Sequence, residues 1–307
     1  EVAVSLRGIG KARFRQGRYE EALEANEEGL ELLRAALGPD HPDVGVALGM
    51  IGPILRSQGD YEAAEAIYLE ALAIVENAPT TNPGDLSALL NNIGTLHAFQ
   101  RHDEQARAYF LRSLEIVESV YGADHTRAAR VLGNVGTTYG RQGRNEEALH
   151  YYERALAIRE RAYGPDHFDV AYSVMYLGAC YENSQRHQEA VVQYERCIPI
   201  LEATLGEHQV MGYALNGYGE ALEGVGRHDE AIEVLERVLA LRLKLDEDPV
   251  ETGATRFALA RALAGRGGSD ERIGPLVEEA RAVWVADGES SAIQLADLDA
   301  WVRDHDR

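Results

Sequence analysis

A glycine that returns at Gly10, Gly52, Gly94, Gly136, Gly178 and Gly219 constrains this chain more than any other feature, with steps of 42, 42, 42, 42 and 41 residues. Twelve residues after each glycine stands an alanine: Ala22, Ala64, Ala106, Ala148, Ala190 and Ala231. Sixteen after the glycine the residue is large and apolar at Tyr68, Phe110, Tyr152, Tyr194 and Leu235, with Asn26 the exception. A third small column runs Gly29, Ala71, Ser113, Ala155 and Cys197, ending on the larger Val238. An aliphatic closes each repeat at Leu32, Ile74, Ile116, Ile158, Ile200 and Leu241. A fixed period of this length marks a repeat architecture, in which each repeat buries its apolar face on its neighbours. The small columns allow two antiparallel helices to approach closely, and the aromatic is expected to fill the layer between successive helix pairs.

Within a repeat, apolar residues recur at three- and four-residue spacing, as in Leu149–Tyr152–Leu156, the pattern of an amphipathic helix. Turns such as Gln16-Gly17-Arg18 and Gln142-Gly143-Arg144 end the first helix with a left-handed glycine. Repeats are joined by Leu37-Gly-Pro-Asp-His-Pro-Asp43 and its relatives at 121–125 and 163–167. There glycine and proline stop one helix, and Asp is expected to cap the next. The joint at 77–85 lacks this consensus and is expected to be looser. The sequence therefore predicts an all-α, right-handed superhelical solenoid of antiparallel helix pairs, forming a single array over 1–307. Its repeats run 1–43, 44–85, 86–127, 128–169, 170–210 and 211–251. A degenerate one at 252–290 follows, with Ala260 at the glycine place and Gly265-Arg-Gly-Gly268 as its turn. A capping helix at 291–307 should cover the exposed apolar end. Pro53 and Pro199 fall inside helices, where each removes a backbone hydrogen bond and is expected to bend its helix.

Several segments resemble tetratricopeptide repeats of the longer, kinesin-light-chain-like form: Leu90-Asn-Asn-Ile-Gly94, Gly143-Arg-Asn-Glu-Glu-Ala148 with Tyr152, Ala155 and Leu156, and Tyr163-Gly-Pro-Asp-His167. The tail from Thr255 to Trp301 also resembles the end of arrays attached to bacterial serine/threonine kinases of the myxobacterial type. The resemblance implies that first helices line a concave inner surface that binds protein or peptide segments. Carried over position by position, the groove residues are Arg7, Lys11 and Arg15 in the first repeat and Arg56 in the second. Asn91, Asn92 and Thr95 follow in the third, and Arg130, Asn134, Thr137 and Arg141 in the fourth. The fifth supplies Tyr172, Met175, Tyr176 and Asn183, and the sixth Tyr213, Asn216 and Glu220. An Asn amide offers donor and acceptor together and matches the backbone of an extended peptide. The other reading of the same asparagines is a tolerated surface residue or a bond within its own helix. The face runs from Arg and Lys, through Tyr and Met, to Glu. It would match a partner with an acidic end, an apolar middle and a basic end.

Composition narrows the partners. With 30 Lys+Arg against 51 Asp+Glu, the formal net charge is -21, which opposes nucleic acid and anionic membrane surfaces. Lys11 and Lys244 are the only lysines, a bias that hints at a GC-rich bacterial source. Two cysteines, Cys180 and Cys197, make no disulfide framework and are read as core packing in a reducing compartment. With no membrane-length apolar run and no signal peptide, the expected location is the cytoplasm. Glu1 enters a helical pattern at once, so the chain reads as a fragment of a larger protein.

Catalysis is not expected. The pairs Asp40-His41, Asp124-His125 and Asp166-His167 suggest a metal, but stacked helices lie about 10 Å apart and zinc ligands within about 2.3 Å of the ion. They are read as loop and cap residues, with no metal ligand, cofactor or catalytic residue predicted. Gly8-Ile-Gly10 and Gly217-Tyr-Gly219 are close-packing glycines, because neither follows a strand. The expected function is a protein- or peptide-interaction scaffold, the docking arm of a larger bacterial signalling protein such as a kinase. The alternatives are a signalling-peptide sensor that compacts on binding, and a structural spacer or self-association module. The oligomeric state stays open.

Overall fold

Helix-forming stretches alternate with Gly and Pro stops, so the chain folds back on itself at short intervals. The computed structural model describes residues 1–267 and 269–305. In it α1 (Val2–Arg15) pairs with α2 (Tyr19–Leu37), α3 (Pro42–Ser57) with α4 (Tyr61–Asn77), and α5 (Pro83–Phe99) with α6 (Asp103–Tyr121). Next, α7 (Thr126–Arg141) pairs with α8 (Asn145–Tyr163), α9 (Phe168–Asn183) with α10 (His187–Leu205), and α11 (Gln209–Gly224) with α12 (His228–Leu245). The degenerate repeat supplies α13 (Pro249–Arg266) and α14 (Ile273–Asp287), and α15 (Ala292–His305) follows a single 3-10 turn. The described residues are all-α, without a strand. They form two compact bodies, Glu1–Ile158 and Arg159–Arg307. Gly268 of the expected last turn lies outside the described residues, as do 306 and 307 of the expected cap.

The glycine ladder has a direct steric cause. A methyl group on Gly52 would stand 2.3 Å from the Tyr68 ring, on Gly94 2.7 Å from Phe110, and on Gly136 2.8 Å from Tyr152. On Gly178 it would meet Tyr194 at 3.0 Å, and on Gly219 it would meet Leu235 at 2.5 Å. The large residue therefore lies against the glycine of its own pair. The expectation that it fills the layer between pairs holds only in part: Tyr194 also reaches Gly217 of the next pair. Sixteen residues carry the chain up one helix, around the turn and back to the level of the glycine. The exceptional Asn26 occupies the same place beside Gly10, fully buried. Its amide donates to the Ala22 carbonyl at 2.7 Å, while its side-chain oxygen has no partner.

The joints show a second correction. The caps of α3, α7 and α9 are histidines, not the aspartates before them, and α11 is likewise capped by His208, which follows Glu207. The N–H groups of Asp43, Arg127 and Asp169 each donate to Nδ1 of His41, His125 and His167 at 3.1 Å, and that of Val210 to His208 at 3.2 Å. The recurrent Asp-His motif is thus a capping device in which a neutral imidazole nitrogen takes the acceptor role usually filled by Asp or Ser. At the divergent joint Asn82 caps α5, and the Thr81 hydroxyl donates to the Val75 carbonyl at 2.6 Å. α3 and α10 both continue as single helices through Pro53 and Pro199.

Ion pairs tie successive second helices together: Arg34–Glu70, Arg112–Glu76 and Arg154–Glu118 in the first body, and Arg196–Glu160, Arg237–Glu202 and Arg272–Glu236 in the second. At the C-terminal end α15 covers the last pair as expected. Leu298 is fully buried, and the Trp301 ring meets Phe257 edge-on at 5.8 Å. The Trp284 indole N–H donates to the Val250 carbonyl at 3.3 Å. Cys180 and Cys197 are both buried and neither is in a disulfide; burial pushes the Cys197 thiol up to about 12.

Candidate functional site

The first-helix face of the N-terminal body is largely satisfied by its own side chains. Asn91 is buried, and its side-chain oxygen accepts from the Asn134 amide at 2.9 Å. Thr95 and Thr137 donate to carbonyls one turn back, those of Asn91 and Gly133, and Thr137 also accepts from the Tyr152 hydroxyl. Arg141 donates to the Ala98 carbonyl at 2.7 Å and lies 3.4 Å from Asp103. Arg56 stacks on Phe99 at 4.4 Å. Asn92 borders a cavity of only about 90 Å³ beside Gly49 and Leu89. Arg7 is half-buried, while Lys11, Arg15 and Arg130 are exposed. The Asn91–Asn134 bond joins α5 to α7.

The C-terminal body is different. Its first helices enclose a cavity of about 500 Å³ on which Tyr172, Met175, Tyr176, Asn183, Tyr213, Asn216 and Glu220 all converge. These are all seven of the groove residues predicted for the fifth and sixth repeats. Helical spacing puts Tyr172, Met175 and Tyr176 on one stripe of α9. Tyr213, Asn216 and Glu220 form the matching stripe of α11. The Tyr172 and Tyr176 rings lie 6.5 Å apart, and Tyr172 packs edge-on against Phe168 at 4.6 Å. Asn216 accepts from the Thr255 hydroxyl of α13 at 2.8 Å and also bonds Glu220.

The structure adds lining residues that sequence reasoning did not single out: Glu182, Tyr194, Gly217, Arg242 and Glu251. Tyr194 reaches the cavity from α10 because Gly217 leaves room for it; a methyl group there would stand 2.2 Å from its hydroxyl. Burial pushes that hydroxyl far above the ordinary tyrosine value, and the nearby Glu220 and Glu182 carboxylates push the same way. Burial likewise raises the Glu220 carboxyl; Glu182 and Glu223 add to this, against the pull of Arg261 and the Asn216 amide. Arg242 is 1% exposed. It donates to the Glu251 carbonyl, lies 3.3 Å from the Glu251 carboxylate and 3.6 Å from Glu247, and faces the Tyr213 ring at 5.6 Å.

A signal for Arg242 was present in the repeat. The column one place after the closing aliphatic reads Val75, Val117, Arg159, Leu201, Arg242. Two arginines thus stand in an otherwise apolar column: Arg242 is buried and Arg159 half-buried, and each is an ion-pair or hydrogen-bond donor. Arg159 donates to the Ser173 hydroxyl, and its desolvation lowers the guanidinium from its usual value.

Two other clefts are as large, one of them about 570 Å³ at the joints 37–42 and 73–80. The other, of about 530 Å³, is bordered by Arg237 and Lys244, already paired with Glu202 and Glu207. Among the described residues no group of three or more His, Cys, Asp and Glu side chains is placed to hold a metal ion. No described helix is long and apolar enough to cross a membrane.

Family models described as tetratricopeptide repeat match residues 1–77, 85–160, 129–203 and 214–249. A search of curated proteins finds no match. Solved structures of the same fold include BtubC (BKLC) from P. vanneervenii, 18% identical, with 74% of this chain and 92% of that one covered and a TM-score of 0.64. The nearly identical repeats of a putative kinesin light chain from P. anserina are 22% identical over 68% of this chain and 99% of that one, with a TM-score of 0.55. A signal-transduction ATPase with a tetratricopeptide repeat sensor from Pyrococcus horikoshii is 17% identical, with a TM-score of 0.74. The match covers 97% of this chain and 43% of that protein.

Proposed function

The chain belongs to the tetratricopeptide repeat family, and from that premise we propose that it binds an extended protein segment on the first-helix face of its C-terminal body. The repeat fold is that of a protein-interaction scaffold. The observation that carries the finer reading is the cavity between α9 and α11, with aromatic rings, a thioether and carboxylates converging on one space. Tyrosine at such a place supplies large contact area at small entropic cost and is enriched at binding hot spots. Lining groups from α9 to α13 surround a segment rather than a reacting bond, which favours binding over catalysis. The reading includes a docking role within a larger bacterial signalling protein, for which the support is the kinase-array resemblance of the tail.

Display of random linear dodecapeptides against the immobilised chain tests the proposal. A related family of peptides should be retained, and the Tyr172→Ala, Tyr213→Ala double variant, still folded by circular dichroism, should lose it. Peptides bound equally well by that variant would move the site off this face. A chain that retains no peptide would favour the spacer reading.

A further inference from the structure

We propose that the cavity is a socket for one basic side chain, arginine or lysine, presented by the bound segment; this rests on the peptide-binding reading above.

The walls are suited to a cation. Tyr172, Tyr176 and Tyr213 present rings around the space. A guanidinium or ammonium within about 6 Å of a ring centroid is attracted by the ring's negative face. The internal cation shows the same preference, with Arg242 facing Tyr213 from the protein side.

The charges point the same way. Three carboxylates line the cavity, Glu182, Glu220 and Glu251, against one cation, Arg242. That arginine is committed to Glu251 and Glu247. Around Glu220 the neighbouring cations are likewise engaged: Arg261 lies 2.8 Å from Glu223, and His187 Nδ1 lies 3.0 Å from Glu182. Among the described residues Glu220 has the Asn216 amide as hydrogen-bond partner and no cation within ion-pair distance. A desolvated carboxylate with no counter-ion is unfavourable, and an entering cation relieves it. An apolar side chain would leave Glu220 desolvated with only the pull of Arg261, which is itself paired with Glu223. An acidic one would add repulsion from Glu182 and Glu220. The occupant that improves both walls and floor is a basic side chain with an aliphatic stem, whose methylenes can lie along Met175 and the tyrosine rings.

The test extends the peptide selection. Selected peptides should share one Arg or Lys at a fixed place. Replacing it by norleucine should weaken binding to the wild-type chain about tenfold or more. Glu220→Gln keeps the shape and removes the charge. It should bind the parent peptide about tenfold more weakly and discriminate the norleucine peptide less than twofold. It should melt no lower than wild type at pH 7, because the fold disfavours the ionised carboxyl. Selected peptides without a shared basic residue, or a norleucine penalty as large in Glu220→Gln as in wild type, would overturn the socket and leave peptide binding standing. Failure to select any peptide would overturn both. Arginine amide competing at the concentration of the whole peptide would overturn the requirement for a segment.

Discussion

The two bodies carry the same first-helix face, but the polar groups on it have different fates. In the N-terminal body Asn91 meets Asn134, and Arg141 meets the Ala98 carbonyl and Asp103. These polar groups find complements one repeat away, and the cavity beside Asn92 is only about 90 Å³. In the C-terminal body Met175 and Asn216 stand in the place of Asn91, and Tyr176 and Gly217 in the place of Asn134; carboxylates outnumber available cations, and about 500 Å³ stays open. On the proposed reading, a repeat face binds where neighbouring first helices leave space open between them. Merely pointing inward is not enough.

The sharpest challenge to this contrast is Arg242→Ala. It leaves Glu247 and Glu251 facing an emptied, buried site, and should destabilise the chain by about 3–5 kcal/mol in denaturant titration. A loss below about 1 kcal/mol would mean that the cavity's own cation is not structural, and that the C-terminal face is less strained than described. Next in size is Gly217→Ala, whose methyl must displace the Tyr194 hydroxyl. It should cost about 1–3 kcal/mol and weaken peptide binding. In the N-terminal body Gly133→Ala meets nothing within 4 Å and should instead stabilise by about 0.5–1 kcal/mol. Equal effects at the two glycines would erase the distinction. A double-mutant cycle on Asn91→Ala and Asn134→Ala should report a coupling of about 1 kcal/mol in stability and leave peptide affinity unchanged. A loss of affinity instead would return those amides to the binding surface. Smallest of all, Arg154→Ala removes one rung of the outer ladder, and thermal unfolding should register less than about 1 kcal/mol.

The repeat was legible because its glycine and its large partner recur at fixed offsets, and only close approach explains that. A column of residues, however, does not say which neighbour it touches, so the aromatic was assigned to the layer between pairs when Gly52 and Tyr68 belong to one pair. Capping preferences favour Asp, but at these joints the extended backbone of the following residue brings the imidazole of His41 or His125 to the helix N-terminus. Asn91 and Asn134 were expected on the inner face. Their mutual bond escaped notice because it joins residues 43 apart, one repeat plus one, which a ladder of equivalent positions does not display. The stripes of Tyr172, Met175 and Tyr176 on α9 and of Tyr213, Asn216 and Glu220 on α11 were named by carrying the family's inner-face positions over. Arg242 was not, because it comes from a second helix and was hidden in a column of valine and leucine.

The glycine–aromatic contact also bears on how such a chain can lengthen or shorten. Both partners lie between the same two joints, so a duplication or deletion cut at the joints transfers a complete fitted pair. A cut at an inner turn would set a glycine of one copy against the large residue of another. Tyr68, Phe110, Tyr152 and Tyr194 are similar enough to tolerate that exchange, each meeting a glycine in the same way. Asn26 against Gly10 is not, so the first pair is the one least able to recombine with the rest.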